Sequence, residues 1–174
     1  LIFWIGEDLE SFLEKPLNSI AKKAEKIELM EIKGLNKLEF RERNIFEGHD
    51  DHGHDEHKKE DEHKEHGHKE DKHDDHHEHA HGEHDPHIWL DPMNAKVILK
   101  EMAEHLIEND QKNASTYKAN LKKALKDLDK LTKKVKSELN KDFKSIVFHD
   151  AYQYFEKRFD VNVLGAFTVN TDVL

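Results

Sequence analysis

Cysteine is absent from all 174 residues. Disulfides and thiolate zinc sites are therefore excluded. The absence is compatible with an oxidising compartment without demonstrating one. No apolar run approaches the roughly 20 residues that a membrane-spanning helix needs. No stretch carries the charged start, apolar middle and small-residue cleavage site of a signal peptide. Instead the chain opens, without methionine, on Leu1-Ile2-Phe3-Trp4-Ile5, which reads as the middle of a buried strand. It stops at Leu174, straight after another apolar stretch. The expectation is a sequence incomplete at both ends, holding one domain or parts of two.

What is abundant is histidine and acid, and both are concentrated. Fourteen of the sixteen histidines lie between Glu47 and His87. From Glu47 to Asp85 there are sixteen acids and five lysines, a local net charge of −11 against −10 for the whole chain. The acidity belongs to one segment, and a near-neutral globular sequence surrounds it. Between Glu47 and Glu83 the only apolar residue is Ala80, and no aromatic occurs. Such a stretch cannot bury enough surface to offset its chain entropy. It is expected to be a disordered insertion, spanning 47–84, because neither flank alone looks like a complete core.

The rest reads as α/β. Leu1 to Ile5, closed by Gly6, has the pattern of a buried parallel strand. Leu9, Phe12, Leu13, Leu17 and Ile20 recur at helical spacing, with Pro16 expected to kink or restart that helix. Lys26 to Ile32 alternates weakly and could be a short strand, which completes a strand–helix–strand start. Asp91 suits an N-cap and Pro92 the first helical position. Met93, Val97, Ile98, Met102, Leu106 and Ile107 then give one apolar face. Tyr117, Leu121, Ala124, Leu128, Leu131, Val135 and Leu139 form a narrow seam on a lysine-rich helix of about 25 residues, roughly 37 Å long. A coiled-coil arm would show the same seam. A surface helix spanning two lobes is the better reading, since a strand pattern, Ser145 to Phe148, resumes directly after it. Asp150 and Gln153 are spaced as a capping box for a further helix. Val161 to Phe167 reads as a strand broken by Gly165.

Two histidines are placed as rigid ligands would be. His87 precedes the apolar run Ile88-Trp89-Leu90. His149 ends the strand 145–148, and ligand groups of open α/β sheets sit just beyond strand carboxyl ends. Neutral imidazole suits zinc, copper, nickel and iron. The bland alternatives are a turn histidine satisfied by Asp85 or Asp91, and a strand-end residue bonded to backbone. His105 sits on a helix with no partner at metal spacing. In the insertion, His49, His52, His54, His57, His63, His66, His68, His73, His76, His77, His79, His81 and His84 put many imidazoles within reach of one ion. Flexible ligands must be ordered by the metal, so these sites should be weak, multiple and interchangeable. A solvated charged loop is the bland alternative here.

Asp85-Pro86-His87-Ile88-Trp89-Leu90-Asp91-Pro92, two helices, and Phe148-His149-Asp150-Ala151-Tyr152-Gln153-Tyr154-Phe155 together resemble the zinc-specific solute-binding proteins of bacterial ABC importers. Phe3-Trp4-Ile5-Gly6, Leu9 to Pro16 and Leu164 to Asn170 share in the resemblance. An acidic histidine-rich loop before the second ligand is typical of that zinc branch. In the manganese branch the position matching His149 is usually glutamate. The resemblance implies two α/β lobes joined by a rigid helix: an N-terminal lobe over 1–112, a linker helix over 113–140, and the start of a C-terminal lobe over 141–174. Zinc would lie in the cleft, with His87 from one lobe and His149 from the other. The family's first histidine ligand and a late carboxylate would fall outside residues 1–174. The fragment is then expected to hold half a tetrahedral shell, to bind zinc poorly at the cleft, and not to fold independently. It also implies a monomeric receptor without enzymatic activity that hands zinc to an inner-membrane ABC permease. The receptor would be periplasmic, or lipid-anchored outside a single-membrane bacterium, and would carry a signal peptide upstream. No nucleic acid partner and no membrane span are expected. Two other classes stay open: a histidine-rich metal buffer or metallochaperone, and, with less support, a metallohydrolase, for which no general base is placed beside His87 or His149.

Overall fold

The computed structural model describes residues 1–41 and 83–168. The structural expectations for the histidine-rich segment therefore lie outside the described residues, apart from His84. The chain begins as β1 (Ile2–Trp4), α1 (Glu7–Ser19) and β2 (Lys26–Glu28). β1 and β2 pair in parallel, Phe3 opposite Ile27. A single 3₁₀ turn, Leu29–Glu31, follows. The weak alternation of 26–32 thus makes three strand residues before the chain turns, which buries Leu29, Met30 and Ile32.

The bend in α1 is not at Pro16. The helix departs from helical angles at Glu10, φ −125° and ψ 40°. There the Glu10 carboxylate folds back to accept the Ile5 backbone N–H at 2.6 Å. Pro16 lies inside the helix, and its carbonyl still accepts from Ile20 N at 2.9 Å. Proline removes the hydrogen bond to the carbonyl four residues earlier. That residue, Phe12, is 71% exposed, where water can take the donor's place. Leu17 is the buried residue of this helix, so the periodicity overstated its apolar contact.

After residue 83 the chain re-enters beside the segment it left. Glu39 and His84 form an antiparallel bridge, and Asp85 N donates to Leu38 O at 2.7 Å. A 3₁₀ turn (Ile88–Leu90) leads into α2 (Pro92–Asn109). The expected cap is present: the Asp91 side chain accepts from Met93 N, with Pro92 at the helix start. α2 buries Ile98 and Ala103. Met93, expected on the apolar face, is exposed. Its place in the interior is taken by Asn94, whose amide exchanges two hydrogen bonds with the Asn36 backbone at 2.8 and 2.9 Å.

α3 (Ala114–Glu138) has the expected length of 25 residues and packs along α2. None of its residues is fully buried. It is a surface helix with a half-covered seam. β3 (Lys144–His149), α4 (Gln153–Phe159) and β4 (Asn162–Thr168) form a second parallel strand–helix–strand unit. Gly165 does not break β4. The register passes from Ser145–Val163 to Ile146–Gly165, so Leu164 is an extra residue in a bulge. One face of this pair presents Ile146, Phe148 and Phe167 to solvent. The main apolar cluster joins both units: Leu29, Met30, Ile32, Leu38, Ile88 and Ile98 pack with Tyr154 of α4.

Candidate metal centre

The functional geometry begins with Asp85, which is fully buried. A buried carboxylate is costly unless its oxygens are satisfied. Oδ1 accepts the His87 backbone N–H at 2.9 Å and lies 2.6 Å from His87 Nδ1. Oδ2 accepts from Gln153 Nε2 at 3.1 Å. The Asp85 backbone carbonyl accepts from the Tyr154 hydroxyl at 2.7 Å. The turn-histidine alternative therefore described a real contact, and the structure decides between the two partners it left open. Asp85, not Asp91, holds His87. Asp91 caps α2 and receives the Arg158 guanidinium. Holding Nδ1 does not exclude ligation, because it leaves Nε2 for an ion.

His149 arrives as the last residue of β3, paired with Thr168 of β4. The backbone there is tied down: Asp150 N donates to Thr168 O and Ala151 N to His149 O. The imidazole stands 5.5 Å from that of His87, centroid to centroid, at 48°. Trp89 packs on the other ring at 5.5 Å from His87. Burial, with His87 nearby, lowers the His149 pKa below the ordinary histidine value, and Asp85 works against that shift. The neutral, ligand-competent imidazole is the favoured form.

Asp150 and Gln153 do not form the expected capping box. α4 starts two residues later than Asp150 would require, and the residue at its N-cap position, Tyr152, gives no side-chain cap. Asp150 instead pairs with Arg41 at 3.2 Å, and Arg41 also reaches Glu156 at 2.9 Å. Burial nevertheless pushes the Asp150 carboxyl up to about 6, against the pull of Arg41. Asp85 was named only as a choice beside Asp91, and Arg41 and Gln153 were not legible as site residues: their partners lie 68 to 115 positions away in sequence.

His105 is on α2, away from this site. Its Nδ1 meets Glu25 at 2.9 Å and its Nε2 meets Glu101 at 3.4 Å. His84 sits in the bridge to Glu39. Among the described residues, no three or more histidine, aspartate or glutamate side chains converge as a complete metal shell. The His87–His149 pair supplies two nitrogen donors.

The fold defines the class first. Two parallel strand–helix–strand units joined by a long helix make an α/β architecture. The chain superposes with a TM-score of 0.64 on the crystal structure of a ZnuA 138–173 deletion mutant with zinc bound, at 21% identity, covering 97% of this chain and 50% of that one. A second ZnuA crystal structure gives 0.63 at 21% identity, with 98% and 50% covered. The sequence then gives the family. The description "Zinc-uptake complex component A periplasmic" matches residues 1–173. The high-affinity zinc uptake system protein ZnuA of Brucella abortus (strain 2308) is 48% identical over 178 residues, which is 99% of this chain and 53% of that protein. Its counterpart in Paracoccus denitrificans (strain Pd 1222) is 44% identical over 161 residues, covering 91% and 48%. This chain belongs to the zinc-uptake component A family, and it spans about half the length of the relatives it matches.

Proposed function

We propose that this chain is part of a zinc receptor that captures the ion outside the cytoplasm and delivers it to a membrane ABC permease, with His87 and His149 as two of its ligands. The observation that carries the reading is the 5.5 Å between the two imidazole centroids. Two imidazoles on one tetrahedral zinc, bonded at about 2.0–2.1 Å, would have centroids roughly 5 Å apart. The two rings come from segments distant in sequence, each anchored by backbone hydrogen bonds. Such ligands are ordered before metal arrives. On this reading zinc is cargo, the protein is a monomeric binding protein rather than an enzyme, and residues 1–112, 113–140 and 141–174 are the first lobe, the linking helix and the start of the second. The remaining ligands belong to the full-length protein.

The test is zinc titration by calorimetry on that full-length protein. Deleting residues 47–83 should remove weak, multiple sites and leave one tight site. His149→Ala should do the reverse, because losing one of three or four inner ligands is expected to cost several kcal/mol. If the deletion abolishes the tight site, or His149→Ala leaves it intact, the histidine-rich buffer replaces the receptor as the reading.

A further inference from the structure

We propose that Gln153 is a positioning residue for the metal ligand His87, acting through Asp85; the inference rests on the receptor reading above. Asp85 is fixed on every polar atom. Its backbone N–H is donated to Leu38 O, its carbonyl accepts the Tyr154 hydroxyl, and Oδ1 takes both the backbone N–H and Nδ1 of His87. The one remaining oxygen, Oδ2, is held by Gln153 Nε2. The same amide nitrogen lies 3.2 Å from Glu39 O. Both partners can only accept, so the amide must present its NH₂ to them. Gln153 is 4% exposed, and water cannot readily substitute for it.

The chemical consequence lies at the imidazole. A neutral His87 whose Nδ1 faces a fixed carboxylate carries its proton on Nδ1. The lone pair is then on Nε2, the nitrogen left for zinc. Without Gln153, Oδ2 loses its anchor and the carboxylate can rotate about its Cβ–Cγ bond. Oδ1 then no longer fixes which nitrogen is protonated. Gln153 opens α4, four residues after His149. The segment that delivers one ligand therefore sets the tautomer of the other.

The experiment uses full-length protein with ¹⁵N-labelled histidine. In the metal-free wild type, long-range proton–nitrogen spectra should show His87 as the Nδ1–H tautomer. In Gln153→Met a substantial fraction should move to Nε2–H, and zinc affinity at the tight site should fall about 10- to 100-fold with stoichiometry unchanged. Phe159→Leu, which loosens the same helix without touching Asp85, should leave the tautomer as in wild type. An unchanged tautomer in Gln153→Met overturns the proposal. So does an equal change in Phe159→Leu, or a tautomer shift with no loss of affinity. The tautomer is read without metal, so it stands apart from the receptor reading, which fails if His149→Ala keeps the tight site or if deleting residues 47–83 abolishes it.

Discussion

Replacing Tyr154 by phenylalanine removes one oxygen and leaves the ring, and its cost can be worked from the contacts. Tyr154 is 1% exposed. Its hydroxyl donates to Asp85 O at 2.7 Å and accepts from Leu38 N at 3.0 Å. Without it, one buried carbonyl and one buried N–H lose their partner together. Each such group costs about 1–3 kcal/mol when left dry. Neither can swing away, because Asp85 N remains bonded to Leu38 O and the adjacent Glu39–His84 bridge pins the same two segments. The expected loss is about 2–4 kcal/mol, toward the lower part of the summed range because the hydroxyl's own desolvation is relieved. Urea unfolding of the full-length protein should show a lower midpoint at unchanged slope; for a slope near 2 kcal/mol/M the shift is about 1–2 M. A loss below about 0.5 kcal/mol would mean that the hydroxyl does not join the two segments, and the reasoning fails. The phenol's own ionisation provides a check, since burial pushes its pKa up to about 12. In alkaline absorbance titration one tyrosine should ionise well after the others in wild type, and that late step should be missing in Tyr154→Phe.

Two further outcomes follow from the first strand–helix unit. Gly6 has φ +145°, and a Cβ there would meet Glu28 Oε1 at 2.5 Å. The carboxylate end can move aside, so the penalty of Gly6→Ala is mainly backbone strain, about 1–3 kcal/mol, read as a lower melting temperature; no change in melting would contradict it. Burial, followed by the charges of Glu31, Glu7 and Asp8, raises the Glu28 pKa above its ordinary value. A raised acid favours the fold below its unfolded pKa, and that advantage is lost as pH rises through the folded pKa. Glu28→Gln should therefore raise the melting temperature at pH 7 and leave it unchanged near pH 3.5. An equal effect at both values would show that charge is not the cause.

How much of the protein was legible depended on the range of the interaction involved. Local signals held. The Asp91-Pro92 start of α2, the 25-residue extent of α3, and His149 at the end of β3 follow from capping chemistry, apolar period and strand propensity, each confined to a few neighbouring residues. At Asp150 and Gln153 a local pairing lost to distant partners. Asp150 and Gln153 have capping-box spacing, yet Asp150 turns to Arg41 and Gln153 to Asp85 and Glu39, because both are buried and the helix starts too late to use them. Pro16 looked like the breaking point of α1, yet the bend sits where Glu10 reaches back to strand β1. The amino-acid sequence by itself determined where the candidate imidazoles His87 and His149 fall and the elements that carry them. It could not determine that His87 and His149 stand 5.5 Å apart, or that the Gln153 amide holds the carboxylate beside the first ring. Those depend on contacts between segments more than 60 residues apart, and such contacts exist only once the two strand–helix units have packed around Tyr154.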